Sequence, residues 1–112
     1  MNGNPSKIQK DWHDWLREYG CQITGQPYPT IQHIIGARRK LKGVKGLAGE
    51  WYCYGLCFEL HLGDHPNSLK ISKKRFVDEF GTEKEIWIRA VLRYELEKGQ
   101  KPMTEEEFKI IV

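Results

Sequence analysis

Ile31-Gln32-His33-Ile34-Ile35-Gly36 and, roughly twenty residues later, Leu56-Cys57-Phe58-Glu59-Leu60-His61 are the stretches whose reading decides the fold. Thr30 to Ile35 is a short run rich in β-branched residues that ends at Gly36. Glu50 to Cys57, with Trp51, Tyr52 and Tyr54, is its candidate partner strand. On such a strand Tyr52 and Tyr54 share one side and Trp51 takes the other. Each half carries a histidine near its end, so pairing the strands directs His33 and His61 toward one groove.

Upstream, Pro27 and Pro29 exclude helix, and Cys21-Gln22-Ile23-Thr24-Gly25 reads as a tight knuckle. Lys7 to Tyr19 is a helix with Ser6 as its cap and Gly20 after its end. Ile8, Trp12, Trp15 and Leu16 fall on its apolar face, with Lys10, Asp14 and Arg17 away from it. Between the two halves, residues 37 to 50 hold five basic side chains among glycines and predict a mobile loop. Downstream, Gly63, Asp64, Pro66 and Asn67 predict a turn or broken helix. Ser72 then caps a helix through Phe80 that Gly81 ends. Thr82 with Glu85 opens the next helix, whose apolar side is Ile86, Ala90, Val91, Tyr94 and Leu96, and Thr104 with Glu107 opens a last turn or two over Phe108 to Val112. The order predicts an α+β chain with a ββα core and helical additions.

The length of 112 residues fits a single small domain. A hydrophobic content of 39% and a charged content of 29% exclude a disordered chain, and four Trp, five Tyr and four Phe supply core volume. A net charge of +3 does not by itself argue for nucleic acid, so the clustering of charge matters more. Asn2 to Lys10 contains no apolar leader core, and three cysteines form an odd set, which together predict a reducing cytoplasm. No stretch is apolar enough to cross a bilayer. Cys21 and Cys57 lack the second member of a C-x-x-C pair, Thr24 and Leu60 standing there instead. Buried free thiols are therefore expected, the other option being a zinc set of Cys53, Cys57 and His61 with Cys21.

Histidine changes protonation near neutral pH, and a strand end aims His33 well for a general base. His61 is the best metal ligand, helped by Gln32, His65 or Asn67. Arg38, Arg39, Lys40, Lys42 and Lys45, spaced by Gly36, Gly43 and Gly46, form a cationic arm suited to phosphates. Lys70, Lys73, Lys74 and Arg75 form a second basic cluster at a helix start.

Cys21, QHIIG at 32–36, the basic loop, GLC with His61 at 55–61, and HPNSLKISKKRFVDEFGTE at 65–83 together resemble a known group. These are the phage and prophage HNH nucleases related to the recombination enhancement function protein, and the resemblance covers residues 21 to about 95. It implies a ββα-metal core over about 21–81 within one domain, with helical additions at 5–20 and 82–112. It also implies a DNA endonuclease that hydrolyses phosphodiester bonds in a phage-infected or lysogenic host. His33 takes the general-base position and His61 a metal position. One divalent ion (Mg²⁺, Mn²⁺ or Zn²⁺) is implied per chain, and DNA and a recombination protein are the implied partners. Gln32 stands where that group has its first metal-binding histidine, and Lys70 where a later histidine is expected. The other reading is therefore a catalytically degenerate DNA-binding or recombination accessory module.

Overall fold

A computed structural model describes residues 4–112, so the part of the leader reading that concerns residues 2 and 3 lies outside it. The architecture is α+β. In chain order the elements are α1 (Lys7–Tyr19), β1 (Thr30–His33), a 3-10 turn (Ala48–Glu50), β2 (Cys53–Leu56), α2 (Phe58–His61), α3 (Lys73–Phe80), α4 (Glu83–Lys98) and α5 (Glu105–Ile111). Among the described residues no helix is long and apolar enough to cross a membrane.

β1 and β2 pair antiparallel, with Thr30 opposite Leu56, Gln32 opposite Tyr54 and His33 opposite Cys53. All of β2 is buried, because helices cover it on both faces. Its start is shorter than expected. Residues 48–50 wind into the 3-10 turn and the backbone N–H of Cys53 bonds back to Trp51, which lifts Glu50 out of the strand and over the end of the sheet.

The helix starts follow their caps. Ser6, Thr82 and Thr104 each close a capping box, and Ser72 accepts from the Arg75 N–H. The buried face of α1 is turned from the expected one: Ile8 is 61% exposed, and Gln9 is buried in its place. The Gln9 amide donates to the Leu47 carbonyl at 2.8 Å, and its carbonyl closes the capping box. A satisfied buried amide thus outweighs one aliphatic contact. In α4 the buried side is Ile86, Trp87, Ala90 and Val91, while Leu96 is 79% exposed.

Two apolar clusters flank the sheet. One joins Trp12, Trp15, Trp51, Cys53, Trp87 and Val91, and the Trp51 carbonyl accepts the indole N–H of both Trp12 and Trp87. The other joins Cys21, Tyr54, Leu56, Cys57, Phe76 and Ile86. The cysteines are free and buried, and they are divided between the clusters, so the set of Cys21, Cys53, Cys57 and His61 does not converge.

The segment expected as a mobile loop is anchored. Val44 and Leu47 pack into the core, the Gly49 N–H bonds to the Arg39 carbonyl, and a Cβ at Gly49 would collide with the Gly36 carbonyl oxygen. Glycine at 49 is what lets the two ends of the segment cross. Its basic side chains, Arg38, Arg39, Lys40, Lys42 and Lys45, all remain exposed.

Candidate functional site

Alternation along β1 separates the candidate residues onto two faces. Ile31 and His33 lie with Gly55 and Cys53, and Gly55 marks this as the α1 side, since a Cβ there would meet the Leu16 carbonyl. Thr30 and Gln32 lie with Leu56 and Tyr54 on the opposite side.

On the α1 side three side chains converge on Glu50. His33 Nε2 lies 2.7 Å from Glu50 Oε1, a carboxylate that can only accept, so Nε2 carries the proton and Nδ1 keeps the lone pair. His13 Nε2 donates to the Glu50 carbonyl at 2.8 Å and lies 3.7 Å from its carboxylate. The Cys53 thiol donates to the same carbonyl at 3.3 Å. Burial holds the His13 imidazole below the ordinary histidine range, against the raising effect of its bond to the Glu50 carbonyl. Burial pushes the Cys53 thiol strongly up. The ligand atoms of His13, His33 and Cys53 lie within 4.8 Å of one another, so this group could hold a metal ion. His33, the most exposed member at 27%, is its route to solvent.

On the other side the contacts run through Thr30 and Gln32. The Thr30 hydroxyl donates to the Leu56 carbonyl at 2.8 Å, so at 2.6 Å it accepts from His61 Nδ1. That fixes the His61 proton on Nδ1 and leaves the Nε2 lone pair free. Burial lowers the His61 pKa, Glu83 acts to raise it and His33 to lower it, which ties the three groups electrostatically. Glu83, the first residue of α4, is buried. Its Oε1 accepts from Gln32 Nε2 at 2.9 Å and from the Tyr54 hydroxyl at 2.8 Å, and its Oε2 lies 3.7 Å from Lys73 Nζ. Burial and then the Glu83 charge push the Tyr54 phenol up, which keeps it a donor.

Of the residues read from sequence, Gln32 and His61 lie on one face of β1, while His33 lies on the other face, at the opposite end of the strand from the Thr30 that holds His61. The expected common groove for His33 and His61 therefore does not form: strand alternation turns them apart. His65 is exposed, and its Nδ1 accepts the Asn67 N–H in a local turn. Lys70 is exposed, Lys73 borders Glu83, and Lys74 pairs with Asp78. Arg38, Arg39, Lys40, Lys42 and Lys45 make no ion pair among the described residues. His13, Glu50 and Glu83 are the site residues that the sequence reading passed over. A cleft of about 960 Å³ opens elsewhere, between the start of α1, Leu47 and Glu107, and no histidine lines it. Comparisons of the chain with protein-family models, with curated proteins and with solved structures return no match.

Proposed function

We propose that the protein is a metal-dependent endonuclease of the HNH kind that hydrolyses phosphodiester bonds in DNA. The observation that carries this reading is the fixed tautomer of His33. A buried carboxylate holds Nε2–H, so Nδ1 is the nitrogen left with a lone pair on a side chain that is 27% exposed. The β1, β2 and α2 order, with His33 at the end of β1 and His61 in α2, supports a ββα-metal core.

His33 Nδ1 takes a proton from water as the water oxygen bonds to phosphorus. The bond from phosphorus to the 3′ oxygen breaks, and that oxygen leaves with the electron pair and is protonated from solvent. Glu50 holds the imidazole in register and stabilises the imidazolium that forms. His61 would hold a divalent ion, which would supply positive charge to offset the negative charge developing at the phosphate and the leaving oxygen. The exposed side chains of residues 38–45 hold the DNA backbone without reading sequence.

Supercoiled plasmid incubated with the protein and Mg²⁺, Mn²⁺ or Zn²⁺ tests the reading. Nicking is expected, and His33→Ala should lower it by about a hundredfold or more. Absence of metal-dependent nicking in the unaltered protein overturns it.

A non-catalytic DNA-binding module is the second reading, favoured by one observation: the Gln32 amide is committed to Glu83, and Lys70 carries no ligand chemistry. It predicts steeply salt-dependent binding that His33→Ala leaves unchanged, with no cleavage.

A further inference from the structure

We infer that Glu83 is the anionic ligand of a hard divalent cation shared with His61, and that Gln32 is the residue that positions Glu83. This rests on the proposed use of a metal and names the ligand that the sequence motif lacks.

Glu83 is 6% exposed, and a buried carboxylate is stable only when its charge is matched. Its matching is incomplete. Gln32 and Tyr54 both donate to Oε1, but both are neutral. The one cation near Oε2 is Lys73, at 3.7 Å with a side chain 70% exposed, a loose pair that water screens. Oε2 therefore keeps acceptor capacity on a buried carboxylate that otherwise has only the positive end of α4 beside it.

His61 supplies the complementary half. Its Nδ1–H is used by Thr30, so Nε2 presents a lone pair. Thr30 and Gln32, which anchor the imidazole and the carboxylate, are two apart on one face of β1, about 7 Å along the strand. His61 Nε2 and Glu83 Oε2 would hold the ion from this one face of the strand, and water would supply its remaining ligands. Gln32 itself is turned the wrong way to bind. Its NH₂ faces Glu83, and flipping the amide would set two oxygens against each other. It holds the ligand instead of being one. Carboxylate with imidazole and no thiolate favours Mg²⁺ or Mn²⁺ over a soft ion.

Mn²⁺ titration of the full chain, followed by calorimetry and electron paramagnetic resonance, tests the assignment without reference to cleavage. One Mn²⁺ should bind. Glu83→Gln and His61→Gln should each weaken it by about tenfold or more, the scale on which even outer partners of a metal act. Gln32→Ala should weaken it less, and Cys53→Ser should leave it within about twofold. Glu83→Asp, which keeps the charge but withdraws it by one methylene, should fall between and guards against a folding defect in Glu83→Gln. Failure of the unaltered protein to bind Mn²⁺, or Glu83→Gln and Glu83→Asp binding within twofold of it, overturns the inference. If the protein nicks plasmid while Glu83→Gln binds Mn²⁺ normally, the ligand assignment fails and the nuclease reading stands. If Mn²⁺ binding follows Glu83 but no plasmid is nicked, the ligand assignment stands and the nuclease reading fails.

Discussion

On the α1 side of the sheet the polar hydrogens of His13, His33 and Cys53 run to Glu50, while on the α4 side the hydrogen bonds to Glu83 come from neutral donors and a second imidazole keeps a lone pair free. The two carboxylates are almost equally buried, at 7% and 6% exposed. They differ in what meets them. Glu50 has an imidazole at 2.7 Å and a second at 3.7 Å, groups that gain a positive charge when protonated. Glu83 has an amide, a phenol and a distant ammonium. The tautomers are opposite as well, set by Glu50 for His33, which keeps its lone pair on Nδ1, and by Thr30 for His61, which keeps it on Nε2. One face is arranged to take a proton and the other to take a cation. A single short strand can serve both because adjacent residues point to opposite sides.

The largest expected difference between the faces lies in the chemical step. His33→Ala should remove cleavage while Mn²⁺ binds as before, whereas Glu83→Gln should lose cleavage only as far as it loses the ion, and excess Mn²⁺ should restore part of it. If His33→Ala weakens Mn²⁺ as much as Glu83→Gln does, the faces are one metal site. Glu50→Gln should have the next largest effect, lowering kcat roughly 10–100-fold with KM for DNA unchanged, the size found for outer partners of a functional histidine. A rise in KM with kcat intact would instead make Glu50 part of the DNA surface.

Cobalt gives a sharper division. His13, His33 and Cys53 could hold an ion, and a Co²⁺ ion there would bind the Cys53 thiolate and absorb strongly in the near ultraviolet. Loading through Glu83 and His61 brings no sulfur. The expected spectrum lacks the thiolate band and is unchanged by Cys53→Ser; a band that disappears in that variant would move the metal to the α1 side.

Much of this scaffold is legible in the sequence, because caps and strand ends are local. Ser6, Ser72, Thr82 and Thr104 each bond to a backbone N–H three residues away, and all four appear as cap signals. His33 and His61 stand out because each ends a recognisable run. His13 does not, since it sits between tryptophans on a helix and finds Glu50 37 residues away. Glu83 follows a capping threonine, where an acidic residue already has a reason to be, as a partner of the helix dipole. Its bond to Gln32 spans 51 positions, and nothing local announces it. Trp87 is hidden similarly: only the fold reveals that its indole shares the Trp51 carbonyl with Trp12. The missing parts of the site are those whose partners tertiary structure alone supplies.

Acid should affect the faces through their imidazoles. His13 and His61 both have pKa values lowered by burial, so below about pH 6.5 the unfolded chain binds more protons than the folded one. Stability then rises with pH through that window and is lost as pH falls toward the depressed folded values. Thermal melts between pH 7 and 5 should show a falling Tm, with a shallower slope in His13→Gln, whose ring no longer has to stay neutral beside Glu50, His33 and Arg17. An unchanged slope in that variant would place the acid sensitivity on the His61 side.

The smallest effects belong to the surface that both faces share. The Lys74 to Asp78 pair is 86% and 63% exposed, and removing it with Lys74→Ala should change stability by no more than about 0.5 kcal/mol. Arg38 and Arg39 are equally dispensable for folding but make no ion pair among the described residues, so their cost should appear only with DNA present. Each phosphate deprived of its cationic partner lowers the slope of log K against log salt by about 0.9 on duplex DNA. Alanine at both positions should therefore flatten the slope by roughly two while leaving Mn²⁺ affinity and Tm in place. A flattening of about 0.9 from Lys74→Ala, with no change from the arginines, would shift the DNA path from the arm after Gly36 to the start of α3. It would then run past Lys73 and along the rim of the Glu83 face.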